Sequence, residues 1–350
     1  MKLYAGIDLH SSNNYVSIVD QDFNRLFEKR IPNELDDILG VLMPFKSDIN
    51  GVIVESTYNW YWLADGLKEN GYSVHLANPA AIKQYEGLKH TDDKWDSFFL
   101  AKMKHLGILP EGYIYPKAER PLRDLLRRRM FFVQQRTANI LSLQSTIIRN
   151  LGLKMSANQV KRLRPKAVEK LFSSDDLILM AESNISIIKT LDNTINEIEK
   201  RVKLKVKLKE EFNKLTTMPG IGFILGSTIM LEVGEIGRFQ KVGNYSSYCR
   251  CVGSQRISNG KKKGENNTKN GNKYLAWAYI EAANFARRYL PVAQKFYQKK
   301  MAKSNICIAT KALANKLARA SYYMMRDNIP FDKEMLFGEP VDEPKVTKIA

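Results

Sequence analysis

Between residues 121 and 211 the sequence carries almost no strand signal, and its apolar residues recur at helical spacing among many basic ones. Leu125, Phe132, Ile140, Leu143 and Ile147 share one apolar stripe, and Ile187, Leu191, Ile195, Ile198 and Val202 share another, with charged residues on the other faces. Two long helices are predicted, able to pair as an antiparallel hairpin or to dimerise. The break between them, residues 152 to 165, holds Lys154, Lys161, Arg162 and Arg164. A helical connector of this kind divides the chain. With 350 residues, 44% of them hydrophobic, there is enough sequence on its two sides for separate cores.

The part before the connector has a different rhythm. Residues 3 to 9, 14 to 19 and 23 to 29 alternate apolar with polar, and Ser11, Ser12, Asn13, Gln21 and Asp22 mark turns, which predicts an antiparallel meander. A helix over residues 33 to 43, a buried strand over 51 to 55, a helix over 58 to 70 and a strand over 72 to 76 then alternate in the α/β manner. Asn78-Pro79 reads as a helix cap with a first-turn proline, and Thr91 as the cap of a helix running to about Leu106. After the connector, a third region starts near Leu215 and is helical to Val233. A glycine- and lysine-rich loop spans residues 253 to 271, and helices resume over 273 to 289 and 306 to 326 before a loose tail. The boundaries expected are 1–118, 119–211, 212–335 and 336–350.

Lys and Arg number 55 against 37 acidic residues, a formal charge of +18, which calls for a polyanionic partner. No run of about 18 apolar residues could span a bilayer, so nucleic acid is the expected partner and no membrane is. The first apolar run contains Asp8 and lacks the uncharged core of a signal peptide, which predicts a cytoplasmic protein. Three cysteines, Cys249, Cys251 and Cys307, form no CxxC pair and suggest neither disulfides nor zinc.

Asp8 lies inside a predicted strand, and Glu55 ends another directly after Val52-Ile53-Val54. An unpaired charge is costly to bury, so a carboxylate in such a place pairs with a cation or holds a metal. Asp93 and Asp96 stand three residues apart at the start of a helix, on one face. Four converging carboxylates suit Mg²⁺ and phosphodiester chemistry. Taken singly, each acid has an ordinary alternative: Asp93 as a helix N-terminal residue, Asp8 as a strand-end residue. The first phosphate loop of actin-like ATPases is a weaker parallel, because Leu9-His10-Ser11-Ser12 lacks the glycine-threonine pair that cradles phosphate.

Met218-Pro219-Gly220-Ile221-Gly222, followed by Ile224, Leu225, Thr228 and Ile229, resembles a helix-hairpin-helix motif, in which backbone amides approach a phosphate. A tight turn between packed helices is the plainer reading. Farther on, Ser258 sits beside Arg256, Lys261, Lys262 and Lys263, cations able to hold a phosphate. No obvious base accompanies the serine. On local sequence alone it is an ordinary loop serine in a DNA-contacting segment.

The ordered series Gly6-Ile7-Asp8, Val54-Glu55, Asp93-Lys94-Trp95-Asp96-Ser97, Met218-Pro219-Gly220-Ile221-Gly222, Arg238-Phe239, Ser258-Asn259-Gly260 and Lys269-Asn270-Gly271-Asn272-Lys273-Tyr274-Leu275 resembles the DEDD-type insertion-sequence transposases, relatives of the Piv DNA invertases. The resemblance implies an α/β N-terminal domain of RuvC-like, RNase H fold, a long helical connector and a mostly helical C-terminal transposase domain. It implies Asp8, Glu55, Asp93 and Asp96 as Mg²⁺ ligands, with Asp92 the alternative to Asp93, and Ser258 as the nucleophile that becomes joined to a DNA end. It also implies donor and target DNA, a structured guide (bridge) RNA encoded by the element, and a dimeric or tetrameric assembly. Pro219, Gly220, Gly222, Arg256, Lys261, Lys262, Lys263 and Lys269 are the expected nucleic-acid contacts. This chain has Ser258-Asn259 where the family commonly has Ser-Gly, and Asn also tolerates positive φ. The alternatives are a RuvC-like junction nuclease that uses water, and a non-enzymatic nucleic-acid-binding protein.

Overall fold

The computed structural model describes residues 2–82, 92–206, 209–265 and 270–338, which form two compact units, Met1–Lys117 and Ala118–Ala350. In the first unit, β1 (Leu3–Leu9), β2 (Asn13–Val19) and β3 (Arg25–Pro32) make the expected antiparallel meander. The helix α1 (Leu35–Leu42) leads to β4 (Ile49–Glu55), which lies parallel to β1. Next, α2 (Tyr61–Glu69) leads to β5 (Val74–Ala77), parallel to β4, and β6 (Glu111–Gly112) closes the far edge. The strand order is β3-β2-β1-β4-β5-β6.

Alternation along the central strands gives the sheet two dry faces. Ala5, Ile7, Leu9, Val52 and Val54 pack with Ile38, Leu42, Leu63 and Leu67 of α1 and α2. Tyr4 and Ile53 pack on the opposite face with Phe98, Leu100 and Ala101 of α3 (Asp93–His105). Asp8 and Glu55 keep the parity of Tyr4 and Ile53, so both carboxyls emerge on the α3 side. Gly6 is what lets α3 come so close: a Cβ there would stand 1.9 Å from the Ser97 carbonyl oxygen and 2.9 Å from the Ala101 nitrogen. Ser17 and Ser97 hydroxyls, 2.8 Å apart and buried, fasten the same contact.

Two sequence expectations are corrected here. Residues 79 to 81 make a short 3₁₀ helix with Asn78 before it and Pro79 in its first turn, as expected, but the Asn78 side chain makes no capping bond. Asp92 caps α3 by accepting the Trp95 N–H at 2.8 Å; Thr91 lies outside the described residues.

In the second unit, α4 (Arg120–Leu151) and α7 (Asp175–Val206) are each 32 residues long. They run antiparallel, as the Arg129–Glu199 and Arg136–Asp192 ion pairs fix by their order along the two helices. Gly152, at φ 65, ends α4 in the left-handed cap that glycine adopts without strain. The break holds α5 (Ala157–Arg162), started by a Ser156–Gln159 capping box, and α6 (Pro165–Glu169). Ile140, Leu143, Ile147, Val160, Val168, Phe172, Ile185 and Ile188 make a small core at this end. Ile187 is a correction: it is 46% exposed, because the helical phase turns Ile185 and Ile188 inward instead.

A larger core joins the other end of the hairpin to α8 (Glu210–Leu215), α9 (Phe223–Val233), α10 (Val242–Tyr248), α11 (Lys273–Tyr289), α12 (Pro291–Met301) and α13 (Ile306–Asp327), with α14 (Lys333–Phe337) packed at its margin. The segment expected to be a loop is instead a hairpin of β7 (Arg256–Ser258) and β8 (Lys261–Gly264). Asn259 and Gly260 both have positive φ, 49° and 69°, the requirement of a two-residue type I′ turn. Asn-Gly between short polar runs carried that signal, but the lysines hid the strand pattern.

Candidate active-site residues

Asp8 is buried near the end of β1 and its carboxyl hydrogen-bonds with that of Glu55 at the end of β4. Burial is the largest influence on both and pushes both upward; Glu55 is raised to about 8 by burial, its bond to Asp8 and the charges of Asp8 and Asp96. Asp96 rises to about 6, first through burial and then through Asp8, Asp93 and Asp92. Asp93 goes the other way, lowered chiefly by its bond from Arg30 Nη2 to Oδ2 at 2.7 Å. All four expected acids therefore meet on one side of the sheet, and at neutral pH the Asp8–Glu55 pair retains a proton where two like charges would otherwise repel.

His10 was not anticipated. Its Nε2 lies 3.2 Å from Asp8 Oδ2 and 3.3 Å from Asp93 Oδ1, and the three side chains place their ligating atoms within 4.8 Å of one another. The His10 carbonyl is held by the Asn33 and Asn59 amides at 3.1 and 2.9 Å, which steadies the strand end. A period of two from Asp8 put His10 on the same side and was the available clue. Arg30 gave no such clue, because its reach to Asp93 depends on where α3 lands. The donor set fits a hard divalent cation: carboxylate oxygens converge, some holding protons a cation would displace, and an imidazole stands alongside.

Ser258 is exposed on its hairpin, paired across the turn with Lys261, and Arg256, Lys262 and Lys263 are exposed as well. Lys269 lies outside the described residues. Met218 to Gly222 form the turn between α8 and α9. Gly220, at φ 94, packs against α11, where a Cβ would lie 2.6 Å from the Ala282 oxygen, so this glycine serves helix packing. Pro219 and Gly222 line an open hollow of about 590 Å³ together with Phe285 and Tyr289.

Fold and site thus define a strongly basic α/β-plus-helical protein with an acid cluster suited to a divalent cation. Comparison with known families narrows this. A family model described as a transposase of the DEDD IS110 type matches residues 5–149, and one described as "Transposase IS116/IS110/IS902 family" matches residues 213–298. The chain is 22% identical over 245 residues to the transposase for insertion sequence element IS1111A of Coxiella burnetii, covering 66% of this chain and 64% of that protein. It is 21% identical over 342 residues to the transposase for insertion sequence element IS1328 of Yersinia enterocolitica, covering 94% and 98%. The chain spans just under two thirds of the first relative and nearly all of the second. It belongs to the IS110-type DEDD transposase family.

Proposed function

We propose that this chain is a DNA transposase of an insertion sequence, which cuts and rejoins strands through a covalent serine–DNA intermediate. The meeting of Asp8 and Glu55, from the ends of β1 and β4, with Asp93 and Asp96, from the first turn of α3, is the observation that carries this reading. The strand order, a meander followed by two parallel strands, supports an RNase H-like, RuvC-like fold for the first unit. The four acids would hold Mg²⁺, with His10 beside them. A bound Mg²⁺ would neutralise charge that builds on the phosphate during transfer.

Ser258 supplies the nucleophile. Its Oγ bonds to phosphorus as the bridging P–O bond to the departing DNA end breaks; the serine proton is lost and the departing oxygen gains one. Rejoining reverses the step with another DNA hydroxyl, so each phosphodiester is regenerated without an outside energy source. Lys261 across the turn, with Lys262, Lys263 and Arg256, steadies the phosphate, and Lys269 belongs to the same basic segment. The open face at Pro219, Gly222 and the start of α9 receives backbone phosphate of the same DNA, with Gly220 keeping the turn in place. A structured RNA of the same element selects the DNA by base pairing, the basic segment between α4 and α7 suits its backbone, and at least two protomers assemble on the two DNA partners in the cytoplasm.

Incubation with DNA carrying an element end tests the reading. Ser258→Ala is expected to keep DNA binding and lose the protein–DNA adduct, and Asp8→Asn to lose both cleavage and Mg²⁺ binding. An adduct that survives Ser258→Ala would exclude the serine's role. Free cleaved ends with no adduct in the unaltered protein would favour water as nucleophile.

A further inference from the structure

Every residue of β7 and β8 except Gly264 is exposed, so the aim of the hairpin is set where the chain leaves and returns to the helical body. A two-stranded hairpin is marginal in isolation. Its two feet come together in a dense polar knot. On the outgoing side α10 ends at Tyr248, and Arg250, at φ 54, donates from Nε to the carbonyls of Asn270 and Gly271 at 3.1 and 3.0 Å. On the returning side Gly271, at φ 91, lies so close that a Cβ would stand 2.5 Å from the Tyr248 oxygen. The Asn272 N–H then donates to that oxygen at 2.6 Å.

Asn272 is the centre of the knot. Its Oδ1 caps α11 by accepting the Tyr274 and Leu275 N–H groups at 2.8 and 3.1 Å. Its Nδ2 donates to Glu232 Oε2 at 2.7 Å. Glu232, near the end of α9 and only 3% exposed, also receives Arg127 of α4 through two bonds of 2.6 Å, from Nε to Oε1 and Nη2 to Oε2. The Arg127 guanidinium covers the Tyr274 ring at 4.7 Å. Three helices and the root of the arm are therefore joined through one carboxylate.

We propose that Arg127, Glu232 and Asn272 are positioning residues that aim the Ser258 arm. A buried ion pair is a poor source of stability, since apolar residues of like volume often do as well. A bidentate arginine–carboxylate pair does something apolar packing does not, which is to fix an angle. The carboxylate's remaining lone pairs carry that angle to the Asn272 amide, and the Asn272 backbone carries it to the foot of the arm. The role in strand transfer rests on the reading of Ser258 as nucleophile; the aiming of the arm does not.

The test separates the two. Nitroxide labels on Lys262→Cys in the arm and Lys299→Cys on α12, in a Cys307→Ser background, report the distance distribution by pulsed electron paramagnetic resonance. Glu232→Gln removes the charge, and Asn272→Ser keeps a capping residue for α11 while cutting its tie to Glu232. Both are expected to broaden the distribution. In unlabelled protein both are expected to slow adduct formation by about 10²-fold, with DNA affinity within about twofold of the unaltered protein and with unchanged far-ultraviolet circular dichroism. Distributions as narrow as the parent's in both variants would overturn the proposal, as would broadening with an unchanged adduct rate. Should the parent form no serine adduct at all, the reading of Ser258 fails, and the distance widths still decide whether the knot aims the arm.

Discussion

Asp8 and Glu55 hydrogen-bond to each other at the ends of two parallel strands, where an unpaired charge would be costly to bury. Their meeting also fixes a pH dependence. An ordinary glutamate titrates at 4.5, whereas folded Glu55 keeps its proton to about 8. Between those values the folded chain binds more protons than the unfolded one, so without metal this group's contribution to stability is full at low pH and fades as pH rises through about 8. Glu55→Gln retains a donor for Asp8 and has no proton to lose. The loss of melting temperature between about pH 5 and about pH 8 is expected to be smaller in the variant, and Mg²⁺ is expected to raise the melting temperature of the unaltered protein more than that of the variant. Equal losses in the two proteins would show that Glu55 is not held as described. Asp8 and Glu55 were legible in the sequence as charges inside apolar strands and His10 only through its period of two from Asp8, whereas Arg30 was not legible, since its reach to Asp93 is decided by the landing of α3.

At the scale of elements, most strands and helices followed from periodicity, and the misses have physical causes. The phase of α7 was misread at Ile187 because several isoleucines lie close together, and only contact with α4 and the two short helices picks Ile185 and Ile188 for the core. The serine segment was taken for a loop because its lysines conceal the alternation, although Asn259-Gly260 was the stronger signal. The docking of α3 gives a sharp prediction. Gly6→Ala puts a Cβ 1.9 Å from a helix carbonyl, and the helix must move away from β1. A loss of about 1–3 kcal/mol is expected in denaturant unfolding. Calorimetric titration with Mg²⁺ is expected to show weakened binding, because Asp93 and Asp96 ride on that helix. Undiminished affinity in the variant would mean that α3 does not bring its acids to the cation.

For the molecule as a whole, the formal charge of +18 forecast a polyanionic partner more firmly than any motif forecast a chemistry. The exposed cations of the serine hairpin give that charge a definite place. If these four contact backbone phosphates, DNA affinity is expected to fall by at least about 10²-fold between about 50 and about 200 mM salt, as fluorescence anisotropy would read. Binding indifferent to salt would contradict this. The ordering of motifs along the chain said more than any of them singly, because Ser258 in isolation is an unremarkable exposed serine and Asp93 an acceptable helix-start residue. The most direct measurement is mass spectrometry of the product. After reaction with Mg²⁺ and DNA bearing an element end, nuclease and trypsin should leave nucleotide attached to the peptide that begins at Ile257 and ends at Lys261, on Ser258. Nucleotide carried by any other residue, or cleaved DNA with no modified peptide, would contradict the account.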